Sequence, residues 1–393
     1  MKEGWEYSTI GKLCKTYSGG TPLKNVKEYY QDGNIPWLRS GEVCQKYIYE
    51  TEMFITQTGL ANSSAKYYPI DTVVVAMYGA TAAQVGILKI EATSNQAVCG
   101  ILPNNKFLPE FLYYFFSYRK EFLASQAQGG AQPNISQVKI KNLEVPVPSL
   151  PEQQSIVDYL DSAFAKIDAM KANAEKALNE AKALFQASLK EMLEPKEGWE
   201  ESELKDIVDE KCPISYGIVQ QGDHVEGGIP VVRPVDLNRK YITANGLKCT
   251  TESISSSYKR TILRGDEILL GVRGTTGIIG IATEELNGCN VNRGVVPLFF
   301  KDTICRDFIF YEMLSPAIQA VFAEKTTGAT LKQINIKDLR TIVFSYPIIE
   351  IQQSIVATLD SLKSKVDKLQ ANYENISQEC DALKQALLRQ VFE

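Results

Sequence analysis

Two stretches of the chain carry apolar residues at alternating steps of four and three, the spacing of one face of a long helix. Nine of ten such positions are apolar in the first stretch and all ten in the second. The positions are 156, 160, 163, 167, 170, 174, 177, 181, 184 and 188, then 355, 359, 362, 366, 369, 373, 376, 380, 383 and 387. The pattern predicts two long helices, each with one face to bury. We expect them to pack on each other as an antiparallel coiled coil.

Ahead of each helix the pattern changes to short runs of aliphatic residues. Asp71–Met77 and Asp266–Val272 are runs of this kind, and each ends at a glycine-containing turn, as strands do. A helical pattern follows over Pro109–Ala127 and over Arg306–Lys325. The predicted fold class is α+β, with two mixed α/β domains that are each followed by a long helix.

The chain contains an internal repeat. Gln-Gln-Ser-Ile-Val at 153–157 returns at 352–356, and Lys-Glu-Gly-Trp-Glu at 2–6 returns at 196–200. The intervening matches keep their order while the offset drifts only from 194 to 199. Tandem duplication of one unit explains such ordered offsets and predicts an internal pseudo-two-fold repeat. The predicted segments are a domain, its helix, a second domain and its helix, at 1–150, 151–195, 196–346 and 347–393.

Composition narrows the function classes. The first residues lack the apolar stretch of a signal peptide, and no run of about 18 apolar residues occurs, so we expect a cytoplasmic protein. The eight cysteines include no Cys-x-x-Cys pair, and the single histidine, His224, argues against multi-histidine metal sites. We expect His224 in a surface loop without a catalytic role. The formal net charge of −5 predicts weak DNA binding by this chain alone, although local basic surfaces remain possible.

Several short motifs occur once in each copy. They are Gly-x-Ile-Pro-x-x-Arg at 33–39 and 227–233, strand-to-glycine turns at Tyr78-Gly79 and Arg273-Gly274, the segments 135–140 and 331–336, and Pro-x-x-x-x-Gln-Gln-x-Ile-Val at each helix start. In this repeated order, the chain resembles the specificity subunits of type I restriction-modification systems.

The resemblance implies a non-catalytic protein with two target-recognition domains. Two DNA-adenine methyltransferase (M) subunits would dock on it, and a restriction and translocation (R) subunit would join them. The assembly would read double-stranded DNA at a bipartite sequence with a fixed gap. S-adenosylmethionine, ATP and Mg²⁺ would belong to the partner subunits, with no cofactor in this chain. The residues agree, since neither a Pro-Pro dipeptide, which an adenine methyltransferase motif contains, nor a Gly-x-x-x-x-Gly-Lys-Ser/Thr phosphate loop is present.

Other interpretations stay open. The glycines at 271–280 suggest a phosphate cradle, although a hairpin or tight turn fits them better. The helices could form a dimerisation coil, or a rigid spacer of about 55–60 Å between the domains. The chain could also be a two-domain coiled-coil adaptor without DNA specificity, or an enzyme with an unfamiliar site.

Candidate DNA-reading residues lie in two loops per domain. Base readout uses Arg on guanine and Asn or Gln on adenine, and the loops contain such residues together with other polar groups. The first domain offers Tyr78, Gly79, Thr81, Gln84, Gln132, Asn134 and Gln137, and the second offers Arg273, Gly274, Thr275, Thr276, Lys332 and Gln333. The change from Tyr78 to Arg273 is expected if each half reads a different sequence.

Two further sets are equivalent in both copies. Arg39 and Arg233 could contact DNA phosphates, or could pair inside their own domains with Glu42 and Asp236, three residues on. The glutamines at the helix starts could meet docked partner subunits. These glutamines are Gln153, Gln154, Gln352 and Gln353.

Overall fold

The computed structural model describes residues 4–126 and 134–393. Unit 1 comprises the chain up to Glu175 together with Asn372–Glu393, and unit 2 comprises Lys176–Ala371. Each long helix therefore begins in one unit and ends in the other.

In its described residues, unit 1 contains ten short strands in three sheets. The strands are β1 (Glu6–Thr9), β2 (Thr16–Ser18), β3 (Ile35–Leu38), β4 (Tyr47–Ile48), β5 (Phe54–Ile55), β6 (Val73–Ala76), β7 (Val85–Leu88), β8 (Thr93–Ser94), β9 (Val98–Ile101) and β10 (Glu144–Val147). The largest sheet has the order β2-β9-β6-β7-β4, a second has the order β5-β3-β8, and β1 pairs with β10. Valines fill β6, which is buried on both faces, as β-branched residues at the centre of a sheet allow.

The helices of unit 1 cover its sheets. They are α1 (Ile10–Leu13), α2 (Gln57–Ala61), α3 (Pro109–Tyr118), α4 (Lys120–Ser125), α5 (Gln137–Lys141) and the long α6 (Leu150–Leu193). Pro109 starts α3 at its first position, where the missing N–H costs nothing. The single helix predicted over Pro109–Ala127 is wrong, because the helix is interrupted at Arg119 before α4 begins. The predicted end, Ala127, lies outside the described residues.

Unit 2 repeats this arrangement. Its strands are β11 (Glu200–Glu203), β12 (Ile229–Val232), β13 (Tyr241–Ile242), β14 (Lys248–Thr250), β15 (Ile268–Gly271), β16 (Ile279–Ala282), β17 (Asn290–Val291), β18 (Val295–Leu298), β19 (Thr326–Thr327), β20 (Gln333–Ile334) and β21 (Val343–Tyr346). Its helices are α7 (Leu204–Ile207), α8 (Glu252–Ser256), α9 (Arg306–Leu314), α10 (Pro316–Lys325), α11 (Ile336–Arg340) and the long α12 (Ile349–Phe392). The predicted helix over Arg306–Lys325 is again two, because Ser315 caps a new helix that Pro316 opens.

The sheets of the two units correspond closely, although β2 has no counterpart in the four-stranded sheet of unit 2. The order β4-β7-β6-β9 in unit 1 matches β13-β16-β15-β18 in unit 2, and β5-β3-β8 matches β14-β12-β17. The directions match as well, since β4 runs parallel to β7 and β13 runs parallel to β16. The predicted mixed α/β fold and its internal repeat are confirmed.

The long helices run antiparallel to each other within each unit. In unit 1, Lys384 contacts Asp168 at 2.5 Å, and the Cys380 Sγ lies 3.7 Å from the carbonyl oxygen of Ile167. In unit 2, Lys182 donates to Gln370 at 2.8 Å. From Asp168 to Lys182 the residue number rises along α6, while that of the α12 partner falls from Lys384 to Gln370, as the predicted antiparallel coiled coil requires.

Along α6, every second position of the seam lies one residue after the position that the sequence pattern predicted. The predicted seam residues Met170 and Leu184 are each 59% exposed, whereas Val157, Leu178 and Phe185 are buried. Several predicted positions are alanines, which bury little area, so the larger Leu178 and Phe185 decide which face turns inward. In α12 the predicted Leu383 is likewise 48% exposed.

Each unit has its own apolar core, closed by the end of a long helix. In unit 1, Phe392 from the end of α12 packs on Phe111 and Phe115 of α3. In unit 2, Phe185 from α6 lies 6.4 Å from Tyr311 of α9, ring centre to ring centre. Burying one such side chain contributes about 1.5–3 kcal/mol. None of the helices in the described ranges is long and apolar enough to cross a membrane.

Candidate nucleic-acid interface

Backbone hydrogen bonds join the two candidate loops of each unit. We call residues 78–84 and 134–137 loop pair 1, and residues 273–276 and 332–333 loop pair 2. In pair 1, Tyr78 and Asn134 form an antiparallel bridge, and Ile135 N donates to Met77 O at 2.8 Å. Segments about 55 residues apart in sequence thus present one continuous surface.

Loop pair 2 is joined in the same way. Arg273 and Gln333 form the corresponding antiparallel bridge. Gly274 N donates to Lys332 O, and Ile334 N donates to Val272 O, each at 2.9 Å. The scaffold that presents the loops is therefore common to both units.

A glycine turns the chain at the tip of each pair. Gly79 has φ +74 and Gly274 has φ +83, a left-handed conformation that glycine adopts without steric cost. No described atom lies within 4 Å of a Cβ built on either residue. The two glycines are therefore needed for the turn itself. The glycine-rich stretch at 271–280 accordingly forms the connection of a β-hairpin between the antiparallel strands β15 and β16.

The two pairs offer different side chains. Among the described residues, Tyr78, Gln84 and Asn134 in pair 1 make no side-chain hydrogen bond or ion pair, and the same holds for Arg273, Thr275, Lys332 and Gln333 in pair 2. Pair 1 presents neutral polar groups, whereas pair 2 presents two cations.

The Arg273 side chain is partly buried, and its charge is not neutralised by any described residue. Its Nη1 is enclosed without a hydrogen-bond partner among the described residues. No carboxylate neutralises it within the described part of the chain, so its guanidinium retains donors for another partner.

Three candidates have internal partners. Gln137 Nε2 donates to the Thr16 hydroxyl at 3.1 Å, and Thr326 lies 3.0 Å from the Thr276 hydroxyl. Thr81 donates to the carbonyl of Tyr78 at 3.4 Å. These contacts brace the loops. Gln132 lies outside the described residues.

Arg39 and Arg233, which occupy equivalent positions in the two copies, form the internal ion pairs that the sequence allowed. Arg233 binds Asp236 through two hydrogen bonds, from Nε at 3.0 Å and from Nη2 at 2.9 Å. Arg39 lies 3.5 Å from Glu42 and also contacts Glu52. Of the two alternatives for these residues, the structure shows the ion pairs within each domain.

The family of the chain favours DNA recognition over the adaptor and enzyme interpretations. A family model described as "Type I restriction modification DNA specificity domain" matches residues 2–180 and again residues 196–378. The chain belongs to this family. It carries two DNA-specificity domains, one per unit, and its family recognises DNA by sequence.

Relatives extend along the whole chain. It is 27% identical over 95% of its length to the type I restriction enzyme EcoBI specificity subunit of Escherichia coli, of which it covers 79%. It is 23% identical over its full length to the EcoKI specificity subunit of Escherichia coli K12, of which it covers 89%.

Solved structures share the fold. A chain of the type I R-M system, solved to explain complex assembly and conformational transition, superposes with a TM-score of 0.78 at 20% identity, covering 100% of this chain and 98% of the other. The HsdS subunit of Thermoanaerobacter tengcongensis superposes with a TM-score of 0.59 at 18% identity, over 100% and 97% of the two chains.

The first glutamine of each Gln-Gln-Ser-Ile-Val motif belongs to the specificity domain itself. Gln153 is buried, accepts from Leu108 N at 2.9 Å, and donates to Lys106 O and Pro148 O. Gln352 is also buried and makes the same three kinds of contact, with Cys305 N, Thr303 O and Pro347 O. Because these side chains are fully used, partner contact through them is contradicted. Gln154 and Gln353 are exposed.

A second junction between specificity domain and helix was missed by the sequence analysis. In unit 1, Asp161 of α6 contacts both Lys46 and Tyr114. In unit 2, Asp360 of α12 accepts from Lys240 at 2.9 Å and from Tyr311 at 2.5 Å. The signal was present, because all three residue types recur at the offsets of the repeat.

Electrostatics holds this junction in one protonation state. Burial, then the bond to Asp360, raises the pKa of Tyr311, and burial with Asp161 does the same for Tyr114. Burial works against ionised Asp360, but hydrogen bonds from Tyr311 and Lys240 lower its pKa. In unit 2, Asp360 therefore stays charged and Lys240 and Tyr311 stay protonated near neutral pH, which fixes this domain on its helix.

Metal and histidine chemistry have little support. Across residues 4–126 and 134–393, no group of three or more His, Cys, Asp and Glu residues could hold a metal ion. His224 is exposed, as predicted, and its Nδ1 accepts from Cys249 N at 3.1 Å. All eight cysteines are free.

Proposed function

We propose that this chain reads a bipartite DNA sequence, with loop pair 1 on one half-site and loop pair 2 on the other. The observation that carries the proposal is the contrast within the repeat. The same backbone bridge presents Tyr78 and Asn134 in one unit and Arg273 and Gln333 in the other. A common scaffold with divergent tips is what reading two different sequences requires, since sequence is read by side chains at base edges.

The side chains suggest what each half contains. Arg273 is suited to the O6 and N7 acceptors of guanine in the major groove. Gln84 and Asn134 are suited to the N6 and N7 groups of adenine. Lys332 is exposed next to Arg273 and suits a phosphate, which would position unit 2 without reading sequence.

Catalysis belongs to partner subunits in this proposal. The chain directs two adenine-methyltransferase subunits and a restriction and translocation subunit to the target. S-adenosylmethionine, ATP and Mg²⁺ act in those subunits. The exposed Gln154 and Gln353, rather than the buried glutamines beside them, are the candidates for contact with partners.

Sequencing of methylated adenines tests the proposal. Cells with this gene and its methyltransferase partner should methylate one split motif, and cells lacking the gene should lose methylation at that motif. Retained methylation at the same motif would contradict the proposal. A methylation pattern without a split motif would contradict the two-reader arrangement alone.

The gap between the half-sites is set by the paired helices. Inserting one heptad into α6 and one into α12 at matching depth preserves the antiparallel pairing, because seven residues complete two turns. The expected result is a longer gap with both half-sequences unchanged. A changed half-sequence with an unchanged gap would count against the helices as spacers.

A further inference from the structure

A cavity of about 380 Å³ in unit 2 holds a buried carboxyl group. Glu312 of α9 is only 6% exposed, and its Oε2 has no hydrogen-bond partner among the described residues. A buried polar atom without a partner is costly, so this acid is unusual within a packed domain. It plays no part in the loops or in the junction with the helix.

The corresponding place in unit 1 is filled with aromatic rings. The repeat offsets align Phe115 with Glu312 and Phe392 with Leu193. The rings of Phe115 and Phe392 pack in a T-shape at 5.8 Å. In unit 2 the smaller Leu193 and the carboxyl group of Glu312 line the cavity instead. The difference therefore replaces a solid aromatic contact with a cavity that contains an acid.

The rest of the wall is mostly apolar. Leu193, Ile318 and Val343 supply aliphatic surface. Ser315 and Ser345 already have partners, since Ser315 accepts from Ile318 N at 3.3 Å and Ser345 donates to Glu201 at 3.2 Å. Among the buried lining residues, Glu312 is thus the one with a polar side-chain atom that has no partner in the described part of the chain.

The two charged side chains that line the cavity besides Glu312 have opposite signs. They are Lys190, near the end of α6, and Glu194, which follows the helix, and both are exposed. From β11, Glu201 reaches the cavity only through its bond to Ser345. The lining residues of α10 carry no charge. The carboxyl group of Glu312 therefore has no fixed cation to pair with inside the cavity.

We infer that this cavity is a binding site for a small organic cation, a primary amine on an apolar body. An ammonium group supplies the donors that Glu312 lacks, and the aliphatic walls cover the apolar body. The volume lies at the lower end of the range typical of small-molecule sites. The inference concerns unit 2 alone and does not depend on what the loops read.

Proton release is the signature of this site. Burial raises the pKa of Glu312 to about 8, so at pH 7 the free protein holds the acid mostly protonated. Binding an ammonium ion requires the carboxylate, and the proton is released to solvent. Affinity should therefore rise about tenfold between pH 6 and pH 7 and level off above about pH 8.

Isothermal titration calorimetry of the full chain with phenethylamine tests the inference. The expected result is binding with release of about one proton at pH 7, measured in buffers of different ionisation enthalpy. The uncharged analogue 2-phenylethanol should bind at least about tenfold more weakly. Absence of phenethylamine binding at millimolar concentration, or binding without proton release, overturns the inference.

Three variants make the test specific. Glu312→Gln keeps the shape and removes the charge, and Glu312→Phe introduces the residue found in unit 1, so both should abolish phenethylamine binding. Glu324→Gln changes an exposed carboxylate of α10 in the same unit and should leave binding unchanged. Equal binding by Glu312→Gln and the unaltered chain would refute the assignment.

Discussion

The two units share their scaffold and differ at a few defined places. Gln153 and Gln352 make the same three kinds of backbone contact, and Asp161 and Asp360 join equivalent lysines and tyrosines. The loop tips differ, with Tyr78 opposite Arg273 in the alignment of the repeat. The domain cores differ where Phe115 aligns with Glu312.

This contrast separates two kinds of constraint. Residues that hold a specificity domain on its helix are the same in both units, because both domains need the same attachment. Residues at the loop tips diverge, as the proposal that each tip reads a different half-site requires. Glu312 belongs to neither set, which is why its effect should be confined to unit 2.

The largest effect we expect is a pH dependence in unit 2 alone. The folded-state pKa of Glu312 is raised from 4.5 to about 8 by burial. Its contribution to stability is therefore fully present below about pH 4.5 and is lost as the pH rises to about 8. The loss has an upper bound of about 5 kcal/mol. Glu312→Gln should remove this dependence.

Tryptophan fluorescence can follow each unit separately during urea unfolding. Trp199 packs against Phe308 in unit 2, at 5.9 Å between ring centres, whereas Trp37 is buried in unit 1. A chain retaining only Trp199 reports unit 2, and one retaining only Trp37 reports unit 1. If Glu312→Gln leaves the difference between pH 5 and pH 8 intact in unit 2, the acid is not its source.

The next effect should be equal in the two units. Gln153→Leu and Gln352→Leu each leave one backbone N–H and two carbonyl oxygens without their side-chain partner. We expect each to destabilise its own unit by about 3 kcal/mol. The same single-tryptophan chains measure this. Gln154→Leu and Gln353→Leu are matched controls at exposed positions and should change stability by less than about 0.5 kcal/mol. A large difference between the two units would mean that the glutamines are not equivalent.

The sequence was sufficient for the repeat, the fold class and the pairing of the helices. The ordered offsets of the repeat and the helical spacing of the apolar residues can be recognised without knowing which residues are in contact. The loop pairs were also within reach, because glycine turns and polar residues recur at equivalent places, and the structure joins them as neighbours.

Other features needed three-dimensional contacts. The seam of α6 depends on which face carries the larger side chains, and Ala177 and Leu178 compete for the same place in the pattern. Gln153 looks like a surface residue in sequence because two of its three backbone partners lie more than 40 residues away. The cavity at Glu312 arises from two substitutions 119 residues apart, at positions 193 and 312.

A smaller effect should distinguish the loop tips. Within the complete methyltransferase complex, Arg273→Ala should cost about 1–3 kcal/mol of discrimination at one position of one half-site. Tyr78→Ala should act only on the other half-site. Measurement of DNA binding across single-base variants of the target would show this. Loss of affinity that is uniform over all sequences would instead identify a phosphate contact, and an effect on both half-sites would remove the assignment of one unit to each half.

The smallest effects concern the two internal ion pairs and rank them by burial. Arg233 and Asp236 have side chains that are 25% and 14% exposed and share two hydrogen bonds, so Arg233→Ala should destabilise unit 2 by about 1–2 kcal/mol. Arg39 is 41% exposed and its partner Glu52 is 71% exposed, so solvent screening should keep the loss for Arg39→Ala below about 1 kcal/mol. Urea unfolding in the single-tryptophan chains measures both losses.

DNA affinity of the assembled complex should stay within about twofold for either variant, because a residue engaged inside its domain is not needed at a phosphate. If Arg39→Ala or Arg233→Ala weakened DNA binding and reduced its salt dependence while stability stayed unchanged, the arginine would be a backbone contact in the complex, and its ion pair would describe only the free chain.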